Sequence, residues 1–110
     1  MTGGTGADRF VFSSTADSSN SAARDVITDF HHAEADLIDV SVPDANTTVT
    51  GYQAFTFIGT QSFHHIAGEL HYTAATGGVI VSGDVNGDGI ADLSIDVQSV
   101  TSLVATDFVL

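Results

Sequence analysis

Gly3-Gly4-Thr5-Gly6-Ala7-Asp8-Arg9-Phe10-Val11 fits, position for position, the nonapeptide G-G-x-G-x-D-x-U-x, in which U is a large apolar residue. The spacing has a physical reason. Glycines let the backbone turn tightly through positive φ, so that carbonyl oxygens converge on one point. The Asp carboxylate completes an oxygen shell of the kind that suits Ca²⁺. The apolar U position, Phe10, then faces inward on a short strand. Gly4, Gly6 and Asp8 are the candidate ligands of this turn.

Outward from the turn, apolar residues mostly recur with period two, and turn residues separate the segments. Strands are expected at 9–12, 25–30, 37–40, 53–58 and 69–73. Between them lie a Ser-rich loop at 13–24 (SSTADSSNSAAR), a turn at 31–35 and a loop at 43–51 (PDANTTVTG). Residues 62–67 stay open between a strand and a helical turn. The clearest hairpin runs from Val79 to Val97, with strict alternation at Leu93, Ile95 and Val97. No long helix is evident, and the expected fold is all-β. One phrase, an Asp, a variable residue and an apolar residue, occurs at Asp8-Arg9-Phe10, Asp25-Val26-Ile27 and Asp36-Leu37-Ile38. Weak repetition of a turn-then-strand unit points to a degenerating solenoid.

The hairpin connection carries a second motif. In Asp84-Val85-Asn86-Gly87-Asp88-Gly89-Ile90-Ala91-Asp92, oxygen side chains fall at positions 1, 3, 5 and 9 of an EF-hand-like loop, and Gly at position 6. The carbonyl of Ile90 would supply position 7. Position 12 is Ile95 in place of the bidentate Glu, and the flanks read as strands, so this is no EF-hand. Two readings remain: a Ca²⁺ loop with Asp84, Asn86, Asp88, Ile90 and Asp92 as ligands, or an acidic turn whose Asn-Gly and Asp-Gly pairs only satisfy backbone geometry.

The phrases TGGTGADRFVF, RDVITDF, ADLIDVS, QAFTFIG, GDVNGDGIADLSI and TDFVL, in that order, resemble the RTX calcium β-roll family, and more closely the C-terminal domain of serralysin-type secreted proteases. The resemblance covers nearly the whole chain. It implies β-roll turns at 1–42 leading into a β-sandwich-like part at 43–110, within a single domain. In a roll, two nine-residue units make one coil, so turns roughly eighteen residues apart stack. Asp8 and Asp25 are seventeen apart, which makes Asp25 the expected partner of the Asp8 turn. Asp29 or Asp36 would contribute through the following turn. The alternative is that Asp25 merely ends a loop. The resemblance further implies a Ca²⁺ cofactor, upstream domains of a parent protein as partners, a secreted extracellular location, and a type I (ABC) exporter that reads Asp107-Phe108-Val109-Leu110 as an uncleaved signal. The plainer expectation for this tail is a final strand with Phe108 and Leu110 packed inward. As three terminal residues, 108–110 are expected to add little to the fold.

Composition narrows the function further. The chain has 110 residues, 14 of them acidic and 2 basic, for a formal net charge of -12. All the acidic residues except Glu34 and Glu69 are Asp, and both basic residues, Arg9 and Arg24, are Arg. Nucleic acid and anionic lipid both require a positive surface, so neither is expected as a partner. There is no cysteine, hence no disulfide, thiolate site or cysteine nucleophile. No stretch reaches the ~18 apolar residues of a membrane span. The N-terminus lacks a basic region followed by an apolar run, so no cleavable signal peptide is expected, and Met1 reads as a start placed on an excised fragment.

Catalysis finds little support. H-E-x-x-H and G-x-S-x-G are both absent. His64, His65 and His71 with Glu69 offer adventitious Zn²⁺ ligands at most, and His31-His32 reads as polar surface. Asp36 and Asp39 form a carboxylate pair without a cleft to serve. A non-catalytic module is expected, with a carbohydrate- or partner-binding β module of an extracellular enzyme as the alternative. Tyr52, Phe55, Phe63 and Tyr72 would then supply an exposed aromatic face.

Overall fold

Alternation at the hairpin becomes a three-stranded antiparallel platform. The computed structural model describes residues 6–12, 25–31, 35–51 and 53–110. Glu69–Ala75, Gly78–Asp84 and Leu93–Gln98 pair in sequence order, with Val79 opposite Val97 and Val81 opposite Ile95. Leu70, Val79, Val81, Leu93, Ile95 and Val97 are fully buried. Each such aliphatic side chain stabilises the fold by roughly 1.5–3 kcal/mol. Their β-branched and branched shapes suit a pleated, half-buried surface.

In chain order the strands are β1 (Arg9–Val11), β2 (Asp25–Ile27), β3 (Leu37–Asp39), β4 (Thr56–Phe57), β5 (Glu69–Ala75), β6 (Gly78–Asp84), β7 (Leu93–Gln98) and β8 (Phe108–Val109). One sheet runs β1-β3-β8 and is parallel throughout. The other runs β2-β7-β6-β5-β4, with parallel pairs at its two ends. Phe10, Ile38 and Phe108 from the first sheet and Ile27, Leu70, Ile95 and Val97 from the second belong to one apolar core. The all-β fold expected from the sequence is what the chain adopts. Both sheets cross the 42/43 boundary, since β3 pairs with β8 and β2 with β7.

Several local expectations shift. The strand expected at 53–58 shrinks to Thr56–Phe57. Gln53 explains this: its N–H donates to Asp44 Oδ1 at 3.1 Å, and its carbonyl accepts from Ala45 N at 3.0 Å. Those groups are therefore unavailable to a ladder. Residues 62–67 form neither strand nor helix, and His65 there adopts φ 57°.

Stacking of the N-terminal turns also differs from the expected seventeen-residue step. β1 pairs with β3, placing Arg9 beside Leu37, while β2 joins the opposite sheet. Asp8 N donates to Asp36 Oδ1 at 2.8 Å across 28 positions of sequence, and Leu37 N donates to Asp8 O at 2.8 Å. Asp36, not Asp25, thus stands next to the Asp8 turn. Arg9 and its partner Leu37 are 28 residues apart, so the return to the first sheet comes later than a coil of roughly eighteen residues would bring it.

The tail belongs to the core, against the expectation that it adds little. Ile38 pairs with Phe108 and Asp39 with Val109, and Val40 N donates to Val109 O at 3.0 Å. Phe108 is buried, with its ring centroid 5.0 Å from that of Phe57. Asp107, in a 3₁₀ turn at Ala105–Asp107, turns its carboxylate back to Val104 N at 2.8 Å. Leu110 remains 37% exposed, so only half of the inward-packing expectation holds.

Candidate metal centre

The β6–β7 connection is built around one buried carboxylate. Asp84 ends β6 with no exposed surface. Its Oδ1 accepts from Asn86 N at 3.2 Å and Gly87 N at 2.9 Å, and its Oδ2 accepts from Gly89 N at 2.8 Å. Asn86 Oδ1 accepts from Asp88 N at 3.2 Å, and Asp88 Oδ1 from Ile90 N at 2.9 Å. Asp92 closes the loop by accepting Val85 N at 3.0 Å. Short Asx side chains bond N–H groups two residues on, which is why this alternating Asp/Asn pattern curls the backbone inward. Gly87 and Gly89 both take φ 79°, a conformation that side-chain-bearing residues rarely adopt.

The result is a carboxylate cluster. One ligand oxygen each from Asp84, Asp88 and Asp92 lies within 4.8 Å of the others, the one such group of three or more His, Cys, Asp or Glu residues among the described residues. Oxygens bound to Ca²⁺ at 2.3–2.6 Å can be no more than about 5 Å apart across a shell, so the spacing fits. The donor set is hard oxygen throughout, and a carboxylate oxygen that accepts one N–H keeps a second lone pair. The residues present therefore fit a calcium ion. Asp88 is exposed and Asp92 half-buried, which leaves an open side for water ligands.

The N-terminal turn is only partly in view, because Gly4 lies outside the described residues. Gly6 takes φ 86°, as the glycine turn requires. Asp36 is buried and accepts His31 N at 3.0 Å in addition to Asp8 N. Asp25 heads β2 on the opposite sheet, and Asp29 is half-buried near its end. Asp8, Asp29 and Asp36 do not meet as a three-ligand group. Asp39, considered beside Asp36 as a carboxylate pair, instead holds Ser41 N at 2.9 Å and Arg9 Nε at 2.9 Å.

His64, Glu69 and His71 do not converge either. Glu69 is buried, with Oε1 accepting His64 N at 2.7 Å and Oε2 lying 2.6 Å from His64 Nδ1. His71 stacks on Phe63 with ring centroids 3.9 Å apart. Of the aromatic face proposed for a carbohydrate, Phe55 is core, Tyr72 stacks on Phe57 at 6.1 Å, and Tyr52 lies outside the described residues. The Glu69–His64 closure escaped sequence reasoning. Its one signal was a Glu, rare in this chain, opening a strand five residues after a His.

Two carboxyls titrate abnormally low. Burial pushes Asp39 up, but the Ser41 hydroxyl and N–H and the Arg9 guanidinium outweigh it. Burial likewise pushes Glu69 up, and the His64 N–H, ring and charge with the Ile66 N–H hold it below the usual range. A carboxyl depressed on folding adds stability above its unfolded value of about 4, and that stability is lost as pH falls through the folded value. The fold therefore weakens in acid below pH ~4.

No helix among the described residues is long and apolar enough to cross a membrane. A search of curated proteins found no match to the chain. The family described as "Peptidase M10 serralysin C terminal" matches residues 2–110. The family implies a calcium-binding module of a secreted protein, in keeping with the carboxylate loop and the two-sheet fold. With a match that runs to the last residue, the chain belongs to the serralysin C-terminal family of peptidase M10.

Proposed function

We propose that this chain is a non-catalytic, calcium-stabilised C-terminal module that couples Ca²⁺ binding to folding outside the cell. The observation that carries the reading is the loop at residues 84–92, where three carboxylates converge on a spacing that suits one calcium ion. At low Ca²⁺ the crowded negative charge opposes the compact state, and the net charge of -12 makes that term large. Outside, Ca²⁺ near ~1 mM fills sites of the weak extracellular class, with Kd of ~10⁻⁴ to 10⁻³ M. A site at ten times its Kd adds about 1.4 kcal/mol to the folded state.

In this reading residues 1–42 carry residual β-roll turns and lead into the β-sandwich-like part at 43–110. The strands β1 and β2 are edge strands of their two sheets, which suits stacking of upstream domains of a parent protein. Residues 107–110 double as a type I export signal, read by an ABC exporter while the chain is unfolded and built into β8 after release. Secretion to the extracellular medium follows from this route.

Melting curves test the calcium claim. EDTA lowers Tm, and 5–10 mM Ca²⁺ restores it more than equal Mg²⁺, because Mg²⁺ demands a tight octahedral shell and gives up water reluctantly. Identical curves in EDTA, Ca²⁺ and Mg²⁺ would overturn the reading.

A further inference from the structure

Residues 64–68 lie against the acidic loop. A Cβ built on Gly87 would stand 3.2 Å from Ala67 N and 3.5 Å from His65 O, and one on Gly89 would stand 2.6 Å from the His65 ring. Gly68 N donates to Asp84 O at 2.7 Å. The two positive-φ glycines that shape the loop are thus packed against this neighbouring segment.

One residue fixes that segment. Glu69 bonds both the backbone N–H and the ring of His64, closing residues 64–69 into a tight loop. Its carboxylate is buried, whereas the His64 side chain is 49% exposed, so the anchor is the Glu and the His is its cover. In the β5–β6 ladder Glu69 stands directly opposite Asp84, and directly opposed residues share a face of the sheet. A buried carboxylate in that position faces like charge, a destabilising arrangement in the absence of compensating partners. The His64 contacts compensate Glu69, and the three loop N–H groups compensate Asp84.

We propose that Glu69 is a positioning residue for the cation loop: it clamps residues 64–67 against Gly87 and Gly89 and so holds Asp84, Asp88 and the Ile90 carbonyl in a ligand-ready arrangement without itself binding the ion. This rests on the calcium reading of residues 84–92. Partners behind the ligands of a metal site commonly matter about 10–100-fold in affinity, because they fix ligand orientation.

The test follows the Gly87 and Gly89 amides of the full chain by NMR during a CaCl₂ titration, which reads this loop separately from any other site. Glu69→Ala raises the Kd about tenfold or more, and Glu69→Gln, which keeps an acceptor for His64 N, raises it less. His64→Ala keeps the Glu69 charge and tests the clamp even if Glu69→Ala does not fold; it raises the Kd about threefold or more. Val100→Ala, a core truncation beyond the end of β7 opposite to the loop, lowers Tm and leaves the Kd within about twofold. Folded Glu69 and His64 variants with wild-type Kd would overturn the proposal while the calcium reading stands. A Kd raised equally by Val100→Ala would also overturn it, by reducing the effect to general stability. Wild-type amides that ignore calcium would overturn the reading of the loop itself, and this proposal with it.

Discussion

Asp84→Ala lowers the stability of the calcium-free protein by roughly 3–5 kcal/mol, because three backbone N–H groups lose one ionised acceptor together. Each bond to a charged group is worth about 1.5–3 kcal/mol, and the sum is trimmed because the exposed end of the loop regains water. The variant also loses the stabilisation that calcium gives through this loop. Asp88→Ala separates the two effects. Asp88 is exposed, and its carboxylate holds the N–H of Ile90 alone within the loop. Its calcium-free stability should drop by about 1 kcal/mol or less while its calcium response falls as far as that of Asp84→Ala. Urea titrations in EDTA and in calcium measure both quantities. Equal losses in EDTA for the two variants would contradict the central place given to Asp84.

Phe108→Ala has the next largest expected effect, about 3–5 kcal/mol, the usual loss for a buried Phe truncated to Ala. The ring lies against Phe57 and bridges β8 to the core between the sheets. Leu110→Ala, at a site 37% exposed, should stay within about 0.5 kcal/mol. Chemical denaturation of both variants checks the contrast. The pair also serves a test of the proposed export role: Leu110→Ala probes the tail as a signal in a chain that still folds, which Phe108→Ala does not allow. A Phe108→Ala protein as stable as the parent would contradict the core role of the tail.

The hairpin was legible because its information is local. Val79, Val81, Leu93, Ile95 and Val97 alternate on a face that must be buried, and Asn86-Gly87 and Asp88-Gly89 mark the turn between them. The Asp84–Asp92 spacing was legible for the same reason, since Asx side chains bond N–H groups two residues away. The pairing of β1 with β3 was not. It is a pairing across 28 residues, and a fixed repeat of roughly eighteen residues does not anticipate a partner at that distance. The Glu69–His64 closure was also illegible, because a Glu five residues after a His specifies neither a turn nor burial, whereas the inward packing of Phe108 was one of the expectations for the tail. Pattern alone gave the tail two compatible readings, an export signal and a final strand, and its pairing with Ile38 and Asp39 bears on the strand alone.

Crystals of the full chain grown in 10 mM CaCl₂, with diffraction recorded at a wavelength where calcium scatters anomalously, test the account most directly. It predicts an anomalous peak in the loop, ~2.3–2.6 Å from oxygens of Asp84, Asp88 and Asp92. A well-ordered loop at residues 84–92 with no anomalous peak between these carboxylates would contradict it.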